Sequence, residues 1–375
     1  MSLSNIKHRV KTTTKNYPAR TIVIAAFALL GVITLIVTHA ATATTTNALL
    51  NTGTKSGNAT FATGSDGVSY AQFGTTTTPP PPPGGGPSAT TPCGTTTTVP
   101  ATYQHVIWIW DENVYQGSVL GSSNAPYINQ IAKACGQATN YADLDHPSAP
   151  NYIAATSGRL GAGAGDCSPS MPGGNNEPPC PDGDQSIFEQ VSSWKSYEQG
   201  EPTNCEDSYS NDYDVNHNPP VYYTRIAAAC KNNAINIDTT NSNGSVVTQF
   251  GNLINDLNNN TLPQFSFIAP NLTYDMHNGT VQQGDTYLSQ LLPLILNSAA
   301  YKSGTTAVFF TFDEAESGPE TVPFIALAPS VKVGSSTSAA FTHYSLLRTT
   351  EEMLGINTYL NNAATAPSMR SALGL

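Results

Sequence analysis

Val106-Ile107-Trp108-Ile109-Trp110 is an uninterrupted apolar run of strand length, followed at once by Asp111-Glu112-Asn113. A strand with no polar alternation belongs in a sheet covered on both faces, which is the parallel arrangement. Residues 265–269, 305–312 and 322–328 repeat the pattern. Helical spacing or composition falls between and after these runs, at residues 125–135, 151–157, 246–257, 286–300 and 343–354, with shorter helices at 185–194 and 222–230. Pro293 should kink the 286–300 helix, and Thr342 is placed to cap the last one. Strands alternating with helices predict one α/β domain, its mainly parallel sheet flanked by helices.

That domain is expected to fill residues 101–375. Residues 1–43 read as a signal peptide or a signal anchor. Lys7, Arg9, Lys11, Lys15 and Arg20 precede an uncharged apolar run at 21–37, and Ala41-Thr42-Ala43 suits cleavage. The positive flank places everything downstream outside the cytoplasm, either free or held at the membrane. Residues 44–100 read as a Thr-, Pro- and Gly-rich stalk, with a strand-like fragment at 69–73 and a stiff polyproline stretch at 79–83. Cys93, Cys135, Cys167, Cys180, Cys205 and Cys230 are even in number and lack metal-ligand spacing, so disulfides are expected. Proximity alone pairs them as 93–135, 167–180 and 205–230. A formal net charge of −11, with 11% charged residues, excludes nucleic-acid binding through a basic surface.

In open α/β sheets, ligands bind beyond the carboxyl ends of the strands. Three apolar runs here end in ligand-type residues: Glu112-Asn113, the 271–277 segment with Asp275 and His277, and Asp313-Glu314. Between the first two lies Asp145-His146-Pro147-Ser148-Ala149-Pro150-Asn151-Tyr152. Its prolines enforce an extended turn that would put Ser148 at a helix N-terminus, where backbone N–H groups favour an anion. A lone serine in such a turn is ordinarily a solvated loop residue; its company gives it weight. Glu112, Asp313 and Glu314 would repel one another without a cation, so a divalent metal ion is the expected tenant. A metal beside a serine hydroxyl suits phosphoryl transfer, and no GxSxG elbow surrounds Ser148. On local pattern alone His217 is a loop residue that could border the pocket. Asp285 reads as an N-cap of the 286–300 helix, and His343 as a helix-start residue.

Glu112-Asn113, His146-Pro147-Ser148-Ala149-Pro150-Asn151-Tyr152, Asp275-Met276-His277, Gly284-Asp285, Thr311-Phe312-Asp313-Glu314 and Phe341-Thr342-His343-Tyr344-Ser345 together resemble the bacterial phosphoesterase family. That family contains secreted acid phosphatases and phospholipases C on an alkaline-phosphatase-like fold. The resemblance covers about residues 103 to 357. It implies that Ser148 is a phosphorylated nucleophile, and that Glu112, Asn113, Asp313 and Glu314 surround a metal with it. It further implies that His146, His277 and His343 line the phosphate pocket, with Asp275 and Asp285 available to a second metal site. Tyr152 stands where phospholipase C members often carry arginine, which points to the acid-phosphatase branch. The expected substrates are small-molecule or lipid phosphate monoesters. A phospholipase C-like diesterase, an inactive ligand-binding surface module and a wall-anchored adhesin are the alternatives.

Overall fold

The computed structural model describes residues 86–161, 165–170, 180–315 and 320–375, together with four short strand segments before residue 73. The chain divides into two units, 1–82 and 83–375. In the first, Ala28–Leu29 pairs antiparallel with Val32–Ile33, and Thr60–Thr63 with Ser69–Gln72, the second pair including residues 69–72 of the fragment expected at 69–73. The remainder of the expected signal or anchor segment lies outside the described residues. No helix among the described residues is long and apolar enough to cross a membrane.

The second unit is built on an eight-stranded sheet. Its strands are β1 (His105–Asp111), β2 (Gly136–Ala138), β3 (Trp194–Glu198), β4 (Ala234–Asn236), β5 (Phe265–Ala269), β6 (Thr306–Phe312), β7 (Phe324–Leu327) and β8 (Ser336–Thr337). They lie in the order β8-β2-β7-β6-β1-β5-β3-β4. Every neighbouring pair is parallel except those that β7 makes with β6 and β2. The expected strands at 106–110, 265–269 and 305–312 become the three central ones, and all three are buried along nearly their whole length. Trp108 and Trp110 fill the space over Phe265 and Phe267.

The longer helices of this unit are α1 (Pro126–Ala134), α2 (Ser148–Ser157), α3 (Ala227–Asn233), α4 (Gly251–Asn259), α5 (Val281–Leu296) and α6 (His343–Met353). α2 is buried on every side, so its small and apolar residues show no amphipathic stripe. The pattern at 246–257 misleads. Val246–Thr248 is an exposed hairpin strand, and the helix starts only at Gly251, because Phe250 adopts a left-handed conformation. The helix expected at 185–194 shrinks to Ile187–Gln190, and Trp194 opens β3 instead. At 222–230 tight turns precede α3. α5 begins before the expected 286, at Val281, capped by Thr280 through a capping box with Gln283. Asp285 is therefore inside a helix and not its N-cap.

The disulfides are Cys93–Cys135, Cys167–Cys180 and Cys205–Cys230, as proximity indicated. The first ties the end of the expected stalk onto the fold. Nearby, the Tyr301 hydroxyl donates to Pro92 O at 2.7 Å and the Thr95 N–H to Pro329 O at 3.0 Å. The folded unit thus starts well before residue 101, and the last part of the 44–100 segment is not a free spacer.

Glu201, just beyond β3, is buried and accepts from the Glu206 N–H and the Asn218 amide, each at 3.1 Å. Burial outweighs these bonds and raises its pKa to about 8. The folded-state value exceeds the unfolded one, so this contribution to stability is complete below the unfolded pKa and disappears as pH rises through about 8. Glu201→Gln should therefore lose less stability than the wild type between about pH 5 and about pH 8, as thermal melts would measure. Parallel declines in both proteins would contradict a buried, proton-holding Glu201.

Candidate active site

The parallel register of β1 and β6 sets Asp111 beside Phe312, so Glu112 and Asp313 leave the sheet side by side. The Asp313 N–H donates to Asp111 O at 3.1 Å, and the Glu112 N–H to Asp275 O at 2.7 Å. Three strand ends thus meet at one edge of the sheet. Two residues there have positive φ without being glycine, Asn113 and Met276. These conformations are unfavourable outside glycine and asparagine, and they turn the chain sharply after Glu112 and between Asp275 and His277.

Ser148 is the first residue of α2, and its Oγ donates to Glu112 Oε2 at 2.9 Å. One helical turn on, the Tyr152 hydroxyl donates to Glu112 Oε1. Nucleophile candidate and tyrosine therefore hold the two oxygens of one fully buried carboxylate. Asn151 braces the preceding turn: its Oδ1 accepts from the Leu144 and Asp145 N–H groups at 2.9 and 3.2 Å, and its amide donates to Asp145 O at 2.7 Å. That turn carries His146, whose Nδ1 is 3.0 Å from Glu314 Oε2 and whose Nε2 is 3.7 Å from Asp143 Oδ2. His146 is exposed, so it stands at the mouth of the site.

His217 is the residue that local pattern underestimates. It is buried, with Nε2 3.2 Å from Glu112 Oε1 and Nδ1 3.2 Å from Asp275 Oδ2, and its ring stacks on Tyr152. Burial pulls its pKa down, but Asp214 and Asp275 more than offset this and raise it to about 9. His277 is exposed beside it, at a ring separation of 5.8 Å, with Nδ1 3.1 Å from Asn278 Oδ1.

Two expected site residues are placed differently. His343 is fully buried, with Nε2 2.6 Å from Asp313 O and Nδ1 2.9 Å from the Tyr141 hydroxyl. A carbonyl only accepts, so Nε2 carries the proton and Nδ1 accepts from Tyr141. Burial lowers the pKa to about 4 and keeps the ring neutral. With both nitrogens engaged, His343 buttresses Asp313 and has none left for a phosphate oxygen. Asp285 accepts from the Ile128 and Tyr127 N–H groups at 2.7 and 3.2 Å, capping the N-terminus of α1. Its carboxylate serves a helix, which removes it from a second metal site.

The remaining set is acidic and rich in oxygen donors. The pKa of Glu112 is pushed well up by burial first and then by Asp313 and Asp275. Asp313 Oδ2 and Asn113 Oδ1 are buried without a protein partner, although the Asn113 N–H donates to Asp313 Oδ1 at 3.1 Å. His146 pairs with Glu314 and Asp143, and His217 with Glu112 and Asp275. No three His, Cys, Asp or Glu side chains there form a metal cluster by themselves, so a cation would rely also on the Asn113 amide and the Ser148 hydroxyl.

The sequence profile of the phosphoesterase family matches residues 115–357. The chain belongs to the phosphoesterase family. Within it, this phosphoesterase is 29% identical over 269 residues to a probable acid phosphatase of Kluyveromyces lactis, covering 67% of this chain and 58% of the yeast protein. It therefore spans little more than half of that relative's length. It is 26% identical over 269 residues to the phosphatidylinositol-3-phosphatase of Mycobacterium tuberculosis, covering 70% of this chain and 81% of the other. Among solved structures, a protein in the alkaline phosphatase superfamily from Vibrio parahaemolyticus aligns over 77% of this chain and 74% of its own, at 12% identity and a TM-score of 0.46.

Proposed function

We propose that this chain is an exported, metal-dependent phosphomonoesterase of the acid-phosphatase kind, acting through a phosphoserine at Ser148. The observation that carries the reading is the 2.9 Å hydrogen bond from Ser148 Oγ to Glu112 Oε2, at the N-terminus of a buried helix. It gives the hydroxyl proton an acceptor and leaves the Oγ lone pairs for an incoming phosphorus. Oγ would then bond to phosphorus as the ester oxygen departs, and water would release phosphate in a second displacement. His146 and His277, both exposed, would orient phosphoryl oxygens or protonate the leaving group.

Glu112, Asn113, Asp313 and Glu314, with Ser148, would hold a divalent cation. When bound, such an ion neutralises the carboxylates and lowers the pKa of a neighbouring hydroxyl. The two relatives support monoester substrates, with phosphoinositides as one class. The three disulfides suit an oxidising compartment and thus export.

The test is hydrolysis of a matched pair, p-nitrophenyl phosphate and p-nitrophenyl phosphorylcholine, by the full chain before and after chelation. Monoester turnover that chelator removes and a divalent metal restores is the expected result. Turnover of the diester alone would transfer the chain to the phospholipase side. Inactivity on both would leave a ligand-binding module.

A further inference from the structure

The N-terminus of α2 has an unusual supply of donors. Pro147 is its N-cap and contributes no side-chain bond, and Pro150 has no N–H to give. The Ser148 and Ala149 N–H groups open the helix next to the candidate nucleophile. The Ala149 N–H already has a partner, Asp166 Oδ1 at 3.0 Å. Asp166 is no local cap, since it lies beyond the other end of the helix. Its position is fixed by its neighbour Cys167, which is disulfide-bonded to Cys180 and whose carbonyl accepts from the Tyr222 hydroxyl at 2.7 Å.

The surroundings are unfavourable for a further carboxylate. Asp214 and Asp313 act on Asp166 as like charges, and His217 acts on it as a favourable one. Asp313 belongs to the ligand set described above, with a fully buried Oδ2 that lacks a protein partner. A second anion therefore sits beside carboxylates of the site, on the N–H of the residue that follows the candidate nucleophile.

We propose that the Asp166 carboxylate stands in for a phosphoryl oxygen at the Ala149 N–H, and that substrate and product phosphate must displace it to bind. This rests on the phosphomonoesterase reading of the same site. Asp166 would act as a built-in competitor that weakens retention of inorganic phosphate and so favours its release. The proposal involves no covalent step; one charge-assisted hydrogen bond is exchanged for another.

The test is the dissociation constant for inorganic phosphate, measured by calorimetry on the full chain, together with KM and kcat for p-nitrophenyl phosphate. Asp166→Ala should bind phosphate about tenfold more tightly and show a lower KM. Asp166→Asn keeps an acceptor oxygen for the helix but no charge, and should fall between Asp166→Ala and wild type. It also preserves the comparison if the alanine variant does not fold. Unchanged or weaker phosphate binding in the variants would overturn the proposal, whether through a lower melting temperature alone, as for a plain helix cap, or through a collapse of kcat, as for a general acid. Failure of the wild type to hydrolyse any monoester would sink the phosphatase reading, and phosphate binding by the variants would still decide this one.

Discussion

Ser148→Ala is expected to reduce monoester turnover by about 10⁴-fold or more while the protein stays folded. The size follows from the role: an enzyme without its nucleophile retains only what binding and electrostatics supply. The fold should survive because the Ser148 hydroxyl makes one hydrogen bond, to Glu112, whose other oxygen keeps Tyr152 and His217. Circular dichroism and a melting curve matching wild type, with activity gone, would satisfy the expectation. Full activity in the variant would remove Ser148 from the mechanism.

The second large effect is expected at His217. His217→Gln takes from Glu112 and Asp275 the ring that lies 3.2 Å from each. Breaking a buried ion pair by removing one partner typically destabilises by about 3–5 kcal/mol, because the carboxylates are left without compensation. A lower melting temperature is therefore expected. Beyond it, kcat/KM should fall by about 10- to 100-fold even at a temperature where the variant is fully folded, since Glu112 loses one of the groups that aim it at Ser148. Loss of stability with unchanged kcat/KM in the folded protein would make His217 a scaffold residue only.

The sequence reveals most where burial is complete. The central strands have no polar alternation, so their position and the convergence of Glu112, Asp275 and Asp313 can be read from the pattern alone. β3 hides because Trp194-Lys195-Ser196-Tyr197-Glu198 mixes polar residues into a buried strand, where Ser196 bonds Glu198 and Lys195 pairs with Asp256. Val246 to Leu257 carries a helical stripe that a left-handed Phe250 interrupts, and sequence pattern does not encode that. His217 sits among asparagines and prolines, which signal a loop correctly but say nothing about where the loop returns. His343 and Asp285 are in family-like motifs, yet their partners are Tyr141 and the α1 backbone, contacts set by tertiary packing. Asp166 lies in a Gly-rich loop and gives no local sign of reaching α2.

In the proposed reaction, phosphate passes through Ser148. The most direct measurement is mass spectrometry of peptides from enzyme quenched in acid during turnover of a phosphate monoester. A phosphoryl group is expected on the peptide containing Ser148, absent without substrate and absent from Ser148→Ala. Rapid turnover with Ser148 unmodified at every quench time, and with the modification on another residue, would contradict it.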